Sequence, residues 1–127
     1  MNEKKSDIFE ASFAINPQIL DSLRIMLGND EIVFTQVVKC YLSESSQLLQ
    51  DINAFLKNQN AQMIEQTAHK LKSSSASMGA VTLSQLCLQM EIMGQSGNLA
   101  SSIDVFSQLE QEYQKVEMTL QKTISNN

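Results

Sequence analysis

From Pro17 to Ile124 apolar side chains return at three- and four-residue steps, and the chain holds only one proline and four glycines to interrupt them. That period is one face of a helix, whereas a strand alternates at every second residue. So little turn chemistry excludes a fold of many short strands, and no glycine-rich loop is present to wrap a nucleotide. The 127 residues amount to one domain, and 43% hydrophobic against 18% charged residues supplies a core.

Five helices are predicted. Pro17 stands in the first turn of a short one carrying Ile19, Leu20, Leu23, Met26 and Leu27, and Gly28 ends it. Asn29 or Asp30 caps the second, which runs to about Leu56 through Phe34, Val37, Val38, Tyr41, Leu48, Ile52 and Phe55. Asn60 caps the third, which ends at Gly79 and has Ile64, Ala68, Leu71, Ser75 and Met78 as its seam. Thr82 and Gln85 read as a capping box opening the fourth, with Leu83, Leu86, Cys87, Met90 and Met93 on one side and Gly94 and Gly97 closing it. Asn98 caps the fifth, whose seam is Leu99, Ile103, Phe106, Leu109, Tyr113, Val116, Leu120 and Ile124. Short connections between long amphipathic helices make antiparallel neighbours. The expected fold class is therefore all-α, an antiparallel up-down-up-down four-helix bundle with the short first helix packed at one end. Residues 1–14 read as a flexible N-terminal lead-in and 15–125 as the bundle domain.

Fourteen acidic against nine basic residues give a net charge of −5, the wrong sign for tracking a phosphate backbone, so no nucleic-acid partner is expected. No apolar run approaches the ~20 residues that cross a bilayer, and no signal-peptide core follows Met1, so no membrane insertion is expected either. Cys40 and Cys87 stand singly in apolar surroundings, the usage of reduced cytoplasmic proteins, and both read as core filler. A cytoplasmic location is the expectation.

One histidine is present, His69. At 100° per residue it lies about 140° from Ile64 and about 160° from Leu71, so it faces solvent while Ala68 and Leu71 face inward. Its neighbours on that surface are Glu65, Gln66, Lys72, Ser73 and Ala76. An imidazole titrates near neutrality, and its neutral form is nucleophilic enough to accept a phosphoryl group. Lys72, one turn on, brings an ammonium to the phosphoryl oxygens, and Lys70 adds a second positive charge. The small side chains of Ser73 and Ala76 leave the surface open to a partner bearing an aspartyl phosphate.

The run Ala68-His69-Lys70-Leu71-Lys72-Ser73, Gly79 eleven residues after Ala68, and the pattern Leu83, Leu86-Cys87, Met90-Glu91 resemble the histidine-containing phosphotransfer (HPt) domains of multistep two-component phosphorelays. The resemblance spans about Ile15 to Leu120. It implies a four-helix bundle that takes a phosphoryl group from a receiver-domain aspartate and passes it to another, with no kinase activity of its own. It implies that His69 is the phosphoacceptor and Lys72 the cation that stabilises the phosphoryl group, and it sets Glu91 on the next helix, where it can orient the imidazole. Ser73 departs from the family's common glycine but remains small. The implied partners are receiver domains of response regulators and of hybrid sensor histidine kinases, met by a monomer. No cofactor is expected on this chain, and Mg²⁺ belongs to the receiver.

A solitary surface histidine is by itself an ordinary solvated residue, and only the combined register of His69, Lys72, the small residues and Gly79 gives it chemical meaning. One outward histidine cannot build a bundle metal site, so none is expected. No nucleophile elbow or kinase motif is present, which excludes a hydrolase triad and a kinase. The alternative is a helical adaptor that binds signalling partners without carrying phosphate, favoured by the near-coiled-coil seam of the fifth helix.

Overall fold

The computed structural model describes residues 13–125. Among these residues five helices follow one another: α1 (Pro17–Met26), α2 (Glu31–Lys57), α3 (Ala61–Ser77), α4 (Val81–Ser96) and α5 (Ser102–Ser125). Helices α2 to α5 form the antiparallel bundle, and α1 closes the end where α3 turns into α4. Of the expected lead-in, residues 1–12 lie outside the described residues, while Ala14 is already buried in the core, beside Ile15 at the start of the bundle domain.

The starts of the first three helices follow their capping side chains. The Asn16 side chain accepts from the N–H groups of Gln18 and Ile19, Asp30 from those of Ile32 and Val33, and Asn60 from that of Met63. The seam of α3 is buried as its spacing requires, from Ile64, Ala68 and Leu71 to Ser75 and Met78.

The fourth and fifth helices start and stop differently from their sequence signals. No capping box forms at Thr82, because α4 begins at Val81 with Ala80 at the cap position and no side-chain cap. The three-residue turn is closed instead by backbone bonds onto α3: Gly79 N–H donates to Ala76 (3.1 Å) and Ala80 N–H to Ser75 (2.9 Å). Gly94 does not end α4 but lies buried inside it, and Gly97, left-handed at φ 77°, is the stop. Asn98 caps a turn rather than a helix, accepting from Ala100 N–H, and α5 begins only at Ser102. With that start Ile103 falls about 120° from Leu109 and is 76% exposed, while Val105 takes its place in the core. Met26, at the end of the short α1, and Cys40, one residue off the inward phase of Tyr41, are also exposed. Of the two thiols only Cys87 fills the core, where burial pushes its pKa up to about 12.

The core is apolar apart from a few small hydroxyls, and these tie helices together. The Tyr41 hydroxyl lies 2.8 Å from Ser75 Oγ, joining α2 to α3. The Tyr113 hydroxyl donates to the Leu42 carbonyl (3.2 Å) and lies 2.8 Å from Ser45 Oγ, joining α5 to α2. Burial drives both phenols above their ordinary pKa, so they stay neutral donors and acceptors.

Two glycines set the helix approaches. Gly79 has φ 84° and a side chain there would meet the Asn16 carbonyl at 2.8 Å, next to the bond by which Asn16 N–H donates to the Gly79 carbonyl. Gly94 is where α4 touches α3: a Cβ would stand 2.6 Å from Glu65 N and 2.7 Å from the Ala61 carbonyl. Those are backbone atoms and cannot swing aside. Gly94→Ala is therefore expected to destabilise the protein by about 1–3 kcal/mol through overpacking, although alanine is the better helix former. Urea unfolding followed by circular dichroism measures this, and a stabilised variant would contradict the close contact.

Candidate functional site

His69 stands near the middle of α3, with Ala68 and Leu71 on either side anchored at 0% exposure. Its own side chain is 58% exposed. The backbone there is held across to α4, where Ser84 Oγ donates to the Lys72 carbonyl (3.0 Å). The contact at Gly94 keeps the two helices close along the next turn, and Glu91, three residues before Gly94, reaches α3 from that approach.

One carboxylate joins the site. Glu91 Oε2 lies 2.8 Å from His69 Nδ1, and Oε1 lies 2.7 Å from Lys72 Nζ. The glutamate side chain is only 15% exposed and Lys72 25%, so both charges sit in a less screened place than the ring. The Lys72 ammonium, reinforced by His69, holds the Glu91 carboxyl below the usual carboxylate range against the opposing effect of burial. Glu91 is therefore an acceptor at neutral pH, and the tautomer that satisfies it carries the proton on Nδ1 and a lone pair on Nε2. Nε2 has no hydrogen-bond partner among the described residues.

Around the ring, Glu65, Gln66, His69, Lys70 and Glu91 line a shallow groove. Ser73 and Ala76 follow on the same exposed face at four and seven residues from His69. Gly79 does not belong to this cluster. It is buried at the α3–α4 turn, about 15 Å along the helix from His69 by the helical rise. No group of three or more His, Cys, Asp or Glu side chains able to hold a metal occurs among the described residues.

A family model described as the Hpt domain matches residues 36–119, from the second turn of α2 into α5. The chain belongs to the Hpt domain family. The phosphorelay intermediate protein YPD1 of Candida albicans is 22% identical over 98 residues, which are 77% of this chain and 53% of that protein. The chain thus spans about half the length of that curated relative. Histidine-containing phosphotransfer protein B (HptB) of Pseudomonas aeruginosa PAO1 superposes with a TM-score of 0.84 at 23% identity, over 91% of this chain and 97% of that one. The maize protein ZmHP2 superposes with a TM-score of 0.75 at 22% identity, over 98% and 96%. These superpositions share the helical-bundle fold.

Within this Hpt domain, two residues that build the site are missed by the sequence signals, which pass over Ser84 and mark Gly94 only as a helix end. Ser84, Cys87, Glu91 and Gly94 recur at three, four and three residues, a stripe of small side chains broken only by the glutamate. That spacing marks one helix face pressed against a neighbour, and it is the signal that identifies them. The Glu91 pairing also has a pH signature. Its folded pKa lies below the unfolded one, so its stabilisation is present above an ordinary carboxylate pKa of about 4.3 and is lost as pH falls through the lower folded value. The stability difference between the wild type and Glu91→Gln is expected to hold at neutral pH and to shrink as the pH is lowered past about 4.3. Urea midpoints at a series of pH values measure it, and a pH-independent difference would contradict the ion pairing.

Proposed function

We propose that this Hpt domain is a phosphorelay intermediate that carries a phosphoryl group on Nε2 of His69. The carrying observation is an exposed imidazole whose Nδ1 faces a carboxylate at 2.8 Å, whose Nε2 has no partner among the described residues, and whose neighbouring turn holds an ammonium. In the reaction, the Nε2 lone pair attacks phosphorus of a receiver-domain aspartyl phosphate. An N–P bond forms, the P–O bond to the aspartyl group breaks, and the aspartate leaves with the electron pair as a carboxylate. The reverse attack by a second receiver aspartate returns the pair to Nε2. The domain ends as it began.

Lys72 stabilises the phosphoryl oxygens in this scheme. An ammonium has three donors, so Lys72 can keep one on Glu91 and offer the others to the phosphoryl group. Lys70, exposed one residue from the ring, adds positive charge, and Ser73 and Ala76 leave room for the partner's surface. The partners on this reading are receiver domains of response regulators and hybrid sensor histidine kinases, which supply Mg²⁺ from their own acidic clusters. The complete site lies within one chain, which suits a monomer, and two unbridged cysteines suit a cytoplasmic setting. Among the described residues no helix is long and apolar enough to cross a membrane. The adaptor alternative loses its main support, because Phe106, Leu109, Tyr113, Val116 and Leu120 of α5 are buried in the bundle and offer no free coiled-coil seam.

Incubation with a ³²P-labelled receiver domain tests the proposal. The wild type is expected to take acid-labile label, His69→Gln none, and Lys72→Ala to be labelled about tenfold or more slowly, as losing one charge-stabilising donor does. An unlabelled wild type that still binds the receiver would establish the adaptor instead.

A further inference from the structure

The group behind the reacting ring is a charged carboxylate, and it is held from both sides: Oε2 by His69 Nδ1 at 2.8 Å and Oε1 by Lys72 Nζ at 2.7 Å. This arrangement bears on the phosphorylated state more than on the resting one. Once Nε2 is bonded to phosphorus, a ring that retains its Nδ1 proton is a cation. When an acceptor takes the phosphoryl group, the N–P electron pair returns to Nε2 and a neutral imidazole departs. A ring that has lost the Nδ1 proton must depart as imidazolate, a far poorer leaving group. Onward transfer therefore depends on whether Nδ1 keeps its proton.

Building on the phosphotransfer reading, we infer that Glu91 is a positioning residue that keeps Nδ1 of phosphorylated His69 protonated, so that the leaving group stays neutral imidazole to higher pH than in a free phosphohistidine. A carboxylate hydrogen-bonded behind an imidazole stabilises the imidazolium, and here the carboxylate, at 15% side-chain exposure, is less screened than the 58% exposed ring it faces. Its hold on Lys72 fixes its direction and keeps it ionised over the working range.

The other charges facing the ring do not replace it. Glu65, Lys70 and Lys72 come from the same helix, and Lys70 and Lys72 oppose a ring cation. From α2, Glu44 lines the adjoining groove with Lys70 and Ser74, and from α4 the thiol of Cys87, the other titratable group on that side, is buried and neutral. Among these groups Glu91 alone hydrogen-bonds the ring.

Phosphoramidate loads histidine chemically, so the full chain can be phosphorylated without a partner and the Nδ1 proton followed by ¹⁵N NMR across pH. The Glu91→Gln amide oxygen can still accept from Nδ1, so this variant removes the charge while retaining an acceptor. The expected result is a deprotonation midpoint about one pH unit or more lower in Glu91→Gln than in the wild type, the size of an opposite charge at contact distance. Transfer from the loaded variant to a receiver should then be about tenfold slower above its midpoint. Coincident midpoints overturn the inference. If Glu91→Gln fails to fold by circular dichroism, the wild-type midpoint against that of free phosphohistidine decides in its place, and equality overturns the inference. Label that passes to a receiver with coincident midpoints sinks this inference alone. A shifted midpoint in a loaded chain from which no receiver takes label sinks the phosphotransfer reading and leaves the role of Glu91 standing.

Discussion

The site depends on how closely α4 lies against α3. At Gly94 there is no room for even a methyl group, since a Cβ would press on the backbone of Glu65 and Ala61 at 2.6–2.7 Å. Glu91 stands one turn earlier on the same helix, and its two contacts, at 2.8 Å and 2.7 Å, lie at hydrogen-bonding range. A methyl-sized separation of the helices would open both. The arrangement around His69 thus rests on a residue with no side chain, whose nearest neighbours are backbone atoms of the helix that carries the histidine. Ser84 reinforces the same seam by bonding the Lys72 carbonyl.

Rotation of α3 about its axis is the second constraint, and small buried hydroxyls set it. Ser75 faces inward with Ala68 and Leu71, and its bond to Tyr41 satisfies a phenol that has no water to turn to. A rotated helix would leave that pair unpaired in the core, at a cost of about 1–3 kcal/mol for an unsatisfied group. With Ser75 directed inward, His69, Ser73 and Ala76 are directed outward by helical geometry. Ser45 and Tyr113 fix α5 against α2 in the same manner. A bundle built from aliphatic residues alone would tolerate sliding and rotation more readily. Here the polar pairs give the exposed face a single register.

Local signals in the chain read well where one side chain answers one backbone group. Asn16, Asp30 and Asn60 cap as their positions demand, and the inward seam of α3 follows from its spacing. They misread where a residue has two uses. Gly94 looks like a stop by composition but is a spacer, and Thr82 heads a capping pattern in a turn that the backbone already closes. Ile103 fits the period of its helix yet is exposed, because the start at Ser102 and the phase of Leu109 turn it away.

By itself the sequence determined the helical class, the five helices found among the described residues, the outward placement of His69 and its proximity to Lys72, because all of these follow from the period of a single helix and its caps. Tertiary structure decided that Glu91 bridges the histidine and the lysine, that Gly94 and Ser84 make that possible, and that Gly79 packs against Asn16. Those depend on the distance and rotation between two helices. Periodicity along one chain segment names the face that is buried, but the separation at which two faces meet is set by the bulk of the side chains between them.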